Sequence, residues 1–310
     1  MAHPRPRHFL HLRDLSLDEH ERLFARAAEL KARRKRHEVE TTLAGRTLVC
    51  IFEKASTRTR VSFEAGMQQL GGNVVTLTAS ESQLGRGEPI SDTARVLSGY
   101  ADAVMVRTFA DARLAEFANN ARVPVINGLT DGAHPCQVLA DVFTVRERLG
   151  TIVGKTVAWI GDGASNMARS WVEAAGLYGF DLRIAAPEGY RLSREDIAAL
   201  AGPRAASHVT ITDNPDEAVA GADVVNTDVW TSMGQEQENA VRLAALHGFT
   251  VDDELVDLAK PDAVVLHCLP AHRGEEITAS VIDRPQSAIW EEAENRMHVQ
   301  KALLEKLILG

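Results

Sequence analysis

Residues 48–60 read Leu48-Val49-Cys50-Ile51-Phe52-Glu53-Lys54-Ala55-Ser56-Thr57-Arg58-Thr59-Arg60. The run Leu48–Phe52 is short, apolar and partly β-branched, the pattern of a buried strand. The residues after it, as far as Leu70, carry helical periodicity and stop at Gly71-Gly72. Ser56-Thr57-Arg58-Thr59 therefore falls at a strand-to-helix turn, where free backbone N–H groups and the positive end of the helix dipole converge. Three hydroxyls and two guanidinium groups within five residues add donors suited to a phosphate, which Arg grips bidentately. A plain N-cap with solvated arginines would use the same residues. Arginines bracketing the hydroxyls favour an anion site.

Outward from this turn, the chain repeats strand and helix. Ser16-Leu17-Asp18-Glu19 is a capping box that opens an amphipathic helix with Leu23, Phe24, Ala27 and Leu30 on one stripe. That helix closes in the basic run Lys31 to Arg36, which suits a helix C-terminus better than a nucleic acid. Val74–Thr78 reads as the next strand, followed by a polar loop from Ser80 to Pro89 that holds Gln83, Gly85 and Gly87. Ser91-Asp92-Thr93 is expected to cap a further helix. Ala103–Arg107 and Val123–Asn127 are strands, and His134-Pro135 opens a helix that runs to Leu149. Alternation of this kind means a parallel sheet.

The second half repeats the architecture. Val157–Gly161 is a strand, followed by a Gly-rich turn and a helix from about Met167 to Gly179. Further strands are Leu182–Ala186, Val209–Thr212, Val224–Thr227 and Val264–His267, and a last helix runs from about Glu291 to Leu309. The fold class is α/β: two domains of similar size, each a parallel β-sheet flanked by helices, joined near Gly150. Ligands of open α/β sheets bind at the carboxyl ends of strands. The polar clusters at Ser56-Thr57-Arg58, Arg107, His134–Gln137, Asn166, Asp228–Ser232 and Cys268 all follow strands. One shared active site, in the cleft between the two halves, explains that coincidence.

Composition narrows the classes. A chain of 310 residues with 45% hydrophobic and 25% charged residues is that of a soluble globular protein. The net charge of −9 argues against nucleic acid as a general partner. Three scattered cysteines, Cys50, Cys136 and Cys268, make neither a disulfide framework nor a zinc site and point to a reducing compartment. No stretch reaches membrane-spanning length and the first residues lack a signal core, so a cytoplasmic location and no membrane partner are expected.

Each remaining motif has a competing reading. Gly161-Asp162-Gly163-Ala164-Ser165-Asn166 after a strand resembles a dinucleotide fingerprint, as in a dehydrogenase. Asn166 replaces the third glycine, however, and no acidic residue ends the next strand. Asn166 is instead a cap, or an arm into the cleft. His134 could be a helix-start residue beside a first-turn proline; with Gln137 it also faces a strand-end cleft, where a His donates to a carbonyl and a Gln pairs with an amide. Arg107 ends an apolar strand and suits a second phosphate or carbonyl clamp better than a surface ion pair. Cys268 at a strand end would ordinarily be a small buried hydrophobe.

Five motifs in order resemble the aspartate and ornithine carbamoyltransferase family: Ser56-Thr57-Arg58-Thr59-Arg60, His134-Pro135-Cys136-Gln137, Asp228-Val229-Trp230-Thr231-Ser232-Met233-Gly234, His267-Cys268-Leu269-Pro270 and Glu294-Asn295-Arg296-Met297. Ser232-Met233-Gly234 and Cys268 match the ornithine branch. The Arg-x-Gln pattern and the Pro-Leu-Pro of the aspartate branch are missing.

The resemblance implies transfer of a carbamoyl group from carbamoyl phosphate to the side-chain amine of L-ornithine, giving L-citrulline and phosphate. Residues 1–149, completed by the C-terminal helix about 291–310, would bind carbamoyl phosphate, and residues 150–290 ornithine. Ser56, Thr57, Arg58, Thr59, Gln83, Arg107, His134, Gln137, Cys268, Leu269 and Arg296 would contact carbamoyl phosphate. Asn166, Asp228, Ser232 and Met233 would contact ornithine, with Arg107, His134, Asp228 and Cys268 catalytic. It further implies a cis Leu269-Pro270 bond, no metal or organic cofactor because the acyl group arrives activated, and a homotrimer in which Gln83 reaches a neighbour's site. A carbamoyltransferase for acetylornithine, putrescine or aspartate, and a non-catalytic binding subunit, are the alternatives within that resemblance.

Overall fold

The computed structural model describes residues 6–80, 83–202, 205–231 and 236–310. Contacts divide the chain into two units, one up to Leu139 together with Arg296–Gly310, the other Ala140–Asn295.

In the first unit, α1 (Leu17–Lys35) leads to β1 (Thr47–Phe52), α2 (Thr57–Gln69), β2 (Asn73–Thr78), α3 (Ile90–Leu97), β3 (Ala103–Arg107), α4 (Asp111–Asn120) and β4 (Val125–Leu129). Among the described residues the strands form a sheet in the order β2-β1-β3-β4, every pair parallel. Parallel neighbours require a crossover, and the intervening helices supply it. Val49, Ile51, Val104, Val106 and Val125 pack against Ala94 of α3 and Leu114 and Phe117 of α4. The chain leaves β1 for one side of the sheet and returns as β3 on the other. The switch point therefore lies where Phe52 pairs with Arg107, at the carboxyl ends that carry the Ser56 turn and Arg107.

α5 (Pro135–Leu149) begins in the first unit and ends in the second, which continues with β5 (Thr156–Ile160), α6 (Asn166–Tyr178), β6 (Asp181–Ala185), α7 (Arg194–Ala201), β7 (Val209–Thr212), α8 (Pro215–Val219), β8 (Val224–Thr227), α9 (Asn239–Leu246), α10 (Asp253–Asp257), β9 (Val264–His267), α11 (Ala279–Ile282) and α12 (Ile289–Leu309), whose later turns return to the first unit. The second sheet runs β7-β6-β5-β8-β9, again parallel throughout. Ala158, Ile160, Val225 and Val265 meet Val219, Leu255, Val281 and Ile289 in its core. Its switch point falls between β5 and β8, so the loops after Ile160, Thr227 and His267 emerge on one side of the sheet.

The expected strands and helices are present, and the displaced boundaries at β4, α3 and α6 have local causes. β4 starts at Val125 rather than Val123 and runs to Leu129, since Pro124 has no N–H to donate. Its register slips at Val106/Arg107, so that Arg107 pairs with Leu129. Gly128 sits at this bulge, where an added Cβ would lie 2.3 Å from Met105 Sδ. α3 starts at Ile90 after Pro89, and Thr93 hydrogen-bonds Glu88 (2.6 Å) instead of capping a helix. α6 is capped by Ser165, whose hydroxyl accepts from Ala168 N at 3.2 Å, which makes Asn166 the first helical residue rather than the cap. No helix among the described residues is long and apolar enough to cross a membrane.

Candidate active site

The first unit concentrates positive charge at the end of β1. Ser56 caps α2, its hydroxyl accepting from Thr59 N at 3.2 Å. Thr59 is 1% exposed, and its Oγ1 accepts from Arg296 Nη2 at 2.7 Å and from Arg107 Nη1 at 3.4 Å. One threonine thus gathers guanidinium groups from β3 and α12 onto the first turn of α2. His134 and Gln137, both buried, enter from the start of α5. Burial, followed by the charges of Arg296, Arg107 and Arg58, holds the His134 imidazole well below its usual value, so it is neutral at pH 7. A neutral imidazole beside three guanidinium groups is a hydrogen-bonding group in a field that attracts anions.

Two further charged residues brace this turn. Glu53 accepts from the Thr108 hydroxyl and pairs with Arg113. Lys54 pairs with Asp131 and lies 4.6 Å from the centre of the Phe109 ring. Glu53 N donates to Arg107 O (2.9 Å), and Asp131 N to Phe109 O (2.7 Å). The loops after β1, β3 and β4 are thereby tied to one another.

The second unit presents a thiol on a carboxylate. Cys268 Sγ donates to Asp228 Oδ1 at 3.0 Å, and Asp228 Oδ1 also accepts from Val229 N at 2.8 Å. Burial, then the Asp228 charge, pushes the Cys268 thiol well above its ordinary value, so it is a thiol and not a thiolate. Burial likewise raises the Asp228 carboxyl. Behind the pair, His267 Nδ1 accepts from Leu269 N (2.9 Å), which leaves Nε2–H to donate to Glu276 Oε1 (2.9 Å). His267 N donates to Glu292 Oε2 (2.9 Å). Both ring nitrogens are engaged, and they fix the backbone of the Cys268-Leu269 turn, where the Leu269-Pro270 bond is cis.

The Gly-rich turn after β5 serves this unit from within. Asp162 accepts from Ala164 N (2.9 Å) and pairs with Arg242 of α9. Arg242 Nε also donates to Trp230 O at 2.5 Å and the guanidinium stacks 5.0 Å from the Tyr190 ring centre. Gly163 has no room for a side chain, since a Cβ would lie 2.7 Å from Ile184. The turn's acidic and glycine residues are thus accounted for by packing and by the loop after β8, and the dehydrogenase reading loses its motif.

The structure brings together Ser56, Thr59, Arg107, His134 and Arg296, with Arg58 near enough for its charge to act on His134. Thr57 is the exposed first residue of α2 and Gln137 lies inside the first turn of α5. Asp228, Cys268 and Leu269 form the second group, and Asn166 is half-buried at the start of α6. Gln83 is exposed in a 3-10 turn, Gln83–Arg86, where its carbonyl accepts from Glu88 N, and among the described residues no hydrogen bond joins it to Thr59. Ser232 and Met233 lie outside the described residues. Sequence reasoning missed Glu53, Lys54, Glu276 and Arg242. The adjacent charges at the end of β1 were a readable signal; Arg242, 80 residues from Asp162, left none.

Two family profiles match the chain, "Aspartate/ornithine carbamoyltransferase, carbamoyl-P binding domain" over residues 7–147 and "Aspartate/ornithine carbamoyltransferase, Asp/Orn binding domain" over residues 153–307. The chain is 55% identical over 304 residues to the ornithine carbamoyltransferase of Paracidovorax citrulli, covering 98% of this chain and 97% of the relative. It is also 55% identical to that of Geobacter sulfurreducens over 302 residues, 97% and 99% of the two chains. The solved ornithine carbamoyltransferase from Pyrococcus furiosus superposes with a TM-score of 0.93 at 45% identity, covering 100% and 99% of the chains. That from Burkholderia thailandensis gives 0.89 at 50% identity, over 98% and 99%. Profiles that between them span nearly the whole sequence, and relatives matched end to end, place the chain in the aspartate/ornithine carbamoyltransferase family.

Proposed function

We propose that this chain transfers the carbamoyl group of carbamoyl phosphate to the side-chain amine of L-ornithine, giving L-citrulline and phosphate. The observation that carries the reading is the division of chemistry: a guanidinium-rich turn in the unit matched by the carbamoyl-P profile, and a buried thiol–carboxylate pair in the unit matched by the Asp/Orn profile. Residues 1–149 with the C-terminal helix take carbamoyl phosphate, and residues 150–290 take ornithine.

Ser56, Thr57, Arg58, Arg107 and Arg296 hold the phosphate. Thr59, Arg107 and His134 donate to the carbonyl oxygen as it gains charge in the tetrahedral intermediate, where one such donor is worth about 3–4 kcal/mol. Gln137 and the carbonyls of Cys268 and Leu269 accept from the carbamoyl NH₂. An alkyl ammonium with a pKa of ~10.4 costs roughly 4–5 kcal/mol to neutralise at pH 7. Asp228 holds that ammonium and Cys268 orients it. Burial, which raises the Asp228 carboxyl, makes its ionised form a better proton acceptor than an exposed aspartate. Asn166, Ser232 and Met233 take ornithine's α-amino and α-carboxyl ends.

A role in arginine biosynthesis follows the relative from Campylobacter jejuni described as anabolic, 42% identical with a TM-score of 0.89. Assembly as a homotrimer, with Gln83 completing a neighbour's site, and a cytoplasmic location belong to the same reading. Phosphate release from carbamoyl phosphate, measured separately with ornithine, acetylornithine, putrescine and aspartate, tests it. Turnover with ornithine alone is expected. Turnover with another amine instead would keep the carbamoyl phosphate half and overturn the acceptor.

A further inference from the structure

We propose that the first unit carries a second anion site, for a small phosphate-bearing ligand, in a cavity of about 520 Å³ formed where α1 and α2 end against α12. Arg33, Arg34, His37, Gln68, Lys301 and Leu30 line it. Lys301 decides the chemistry. The residue is 2% exposed, its stem packs over Gly66, and its ammonium hydrogen-bonds Gln69 Oε1 at 3.3 Å, with no carboxylate in ion-pair range among the described residues. An ammonium buried against one neutral amide is poorly compensated. Burial and then the charge of Arg34 accordingly press its pKa below the usual lysine value.

Arg34 adds a second cation at the solvent edge, with no ion pair among the described residues and its guanidinium on the Met297 thioether at 3.3 Å. The acids on the rim are already used: Glu38 by Arg36 and Arg33, Glu40 by Arg26 and Arg33. The charge left over in the cavity, from Arg34 and Lys301, is positive. The volume lies in the range of small-ligand sites, about 300–1,000 Å³. A doubly charged phosphate answers Arg34 and Lys301 together, and Leu30 and Val39 offer an apolar wall to an ester group.

This site is independent of the proposed reaction, and calorimetric titration with inorganic phosphate separates the two. In an Arg58→Gly variant one phosphate site is expected to persist, and adding Arg34→Gln, at an exposed position that the fold tolerates, is expected to weaken it at least tenfold. Lys301→Gln is expected to do the same. No phosphate binding in Arg58→Gly, or residual binding indifferent to both substitutions, would overturn the proposal. A parallel titration with glucose 6-phosphate distinguishes the source: tighter binding than phosphate assigns the site to a phosphate monoester, and equal binding to the free ion. Failure of Arg58→Gly to weaken any phosphate site would count against the substrate reading and leave this one standing.

Discussion

Thr59 shows how much one hydroxyl can organise. Its oxygen accepts from two guanidinium groups that come from β3 and α12, so removing it leaves both without that acceptor in a buried place. Thr59→Val keeps the shape of the side chain, and is expected to cost about 1–3 kcal/mol of stability through the stranded donors. The apparent KM for carbamoyl phosphate is expected to rise at least tenfold in steady-state assays, while that for ornithine holds within twofold. In the second unit, Cys268 is a thiol because it is buried and, second, because its neighbour is a carboxylate. Whether it would be thiol or thiolate depended on its burial and on which charge lay closest in space, and the sequence could not say. The structure places Asp228 there, 40 positions away in the chain.

At the scale of elements, legibility followed the range of the interaction. The Ser56 turn was readable because capping and the helix dipole are local properties of neighbouring residues. Ser56→Ala is expected to lower the denaturation free energy by about 1 kcal/mol, measured by urea titration, through loss of the cap. The β4 boundary was misjudged because Val123 looks like a strand residue, whereas the pairing begins only after Pro124. The cap of α6 was assigned one residue late, since Ser165 and Asn166 are both good capping residues and only geometry chooses. Glu53 and Lys54 mark the limit: their chemistry was visible, but their partners Thr108, Arg113 and Asp131 lie in loops that only the parallel sheet brings together. Glu53→Gln is expected to raise the KM for carbamoyl phosphate several-fold with little change in kcat, because it loosens the placement of the turn and not the chemistry. An unchanged KM would remove Glu53 from that role.

The whole molecule should be sensitive to acid before its carboxylates titrate. His20 is fully buried with its Nε2 on Leu12 O at 3.0 Å, and burial pulls its pKa down to about 4. His8 and His134 are shifted the same way. Between pH 6.5 and about 4 the unfolded imidazoles take protons that the folded ones refuse, so stability falls as pH falls across that window. For His20 alone the loss approaches ~3 kcal/mol. Chemical denaturation from pH 7 to 4 is expected to show the decline, and His20→Gln to make it shallower. An unchanged slope in that variant would assign the decline to other groups. The α/β class, both parallel sheets and the family were all readable from the order of strands and strand-end motifs. The networks through Arg242 and Glu276 were not, because their partners are distant in sequence.

In the proposed function the two units divide the chemistry: the first takes the phosphate and carbonyl oxygen of carbamoyl phosphate, and side chains of the second take ornithine. Cys268→Ala tests it most directly, because it removes a side chain of the second unit and leaves the backbone carbonyls in place. The measurement is the apparent KM for each substrate, with the other saturating. A rise of tenfold or more for ornithine, with carbamoyl phosphate unchanged within twofold, is the expected result. Equal rises for both substrates would contradict the division.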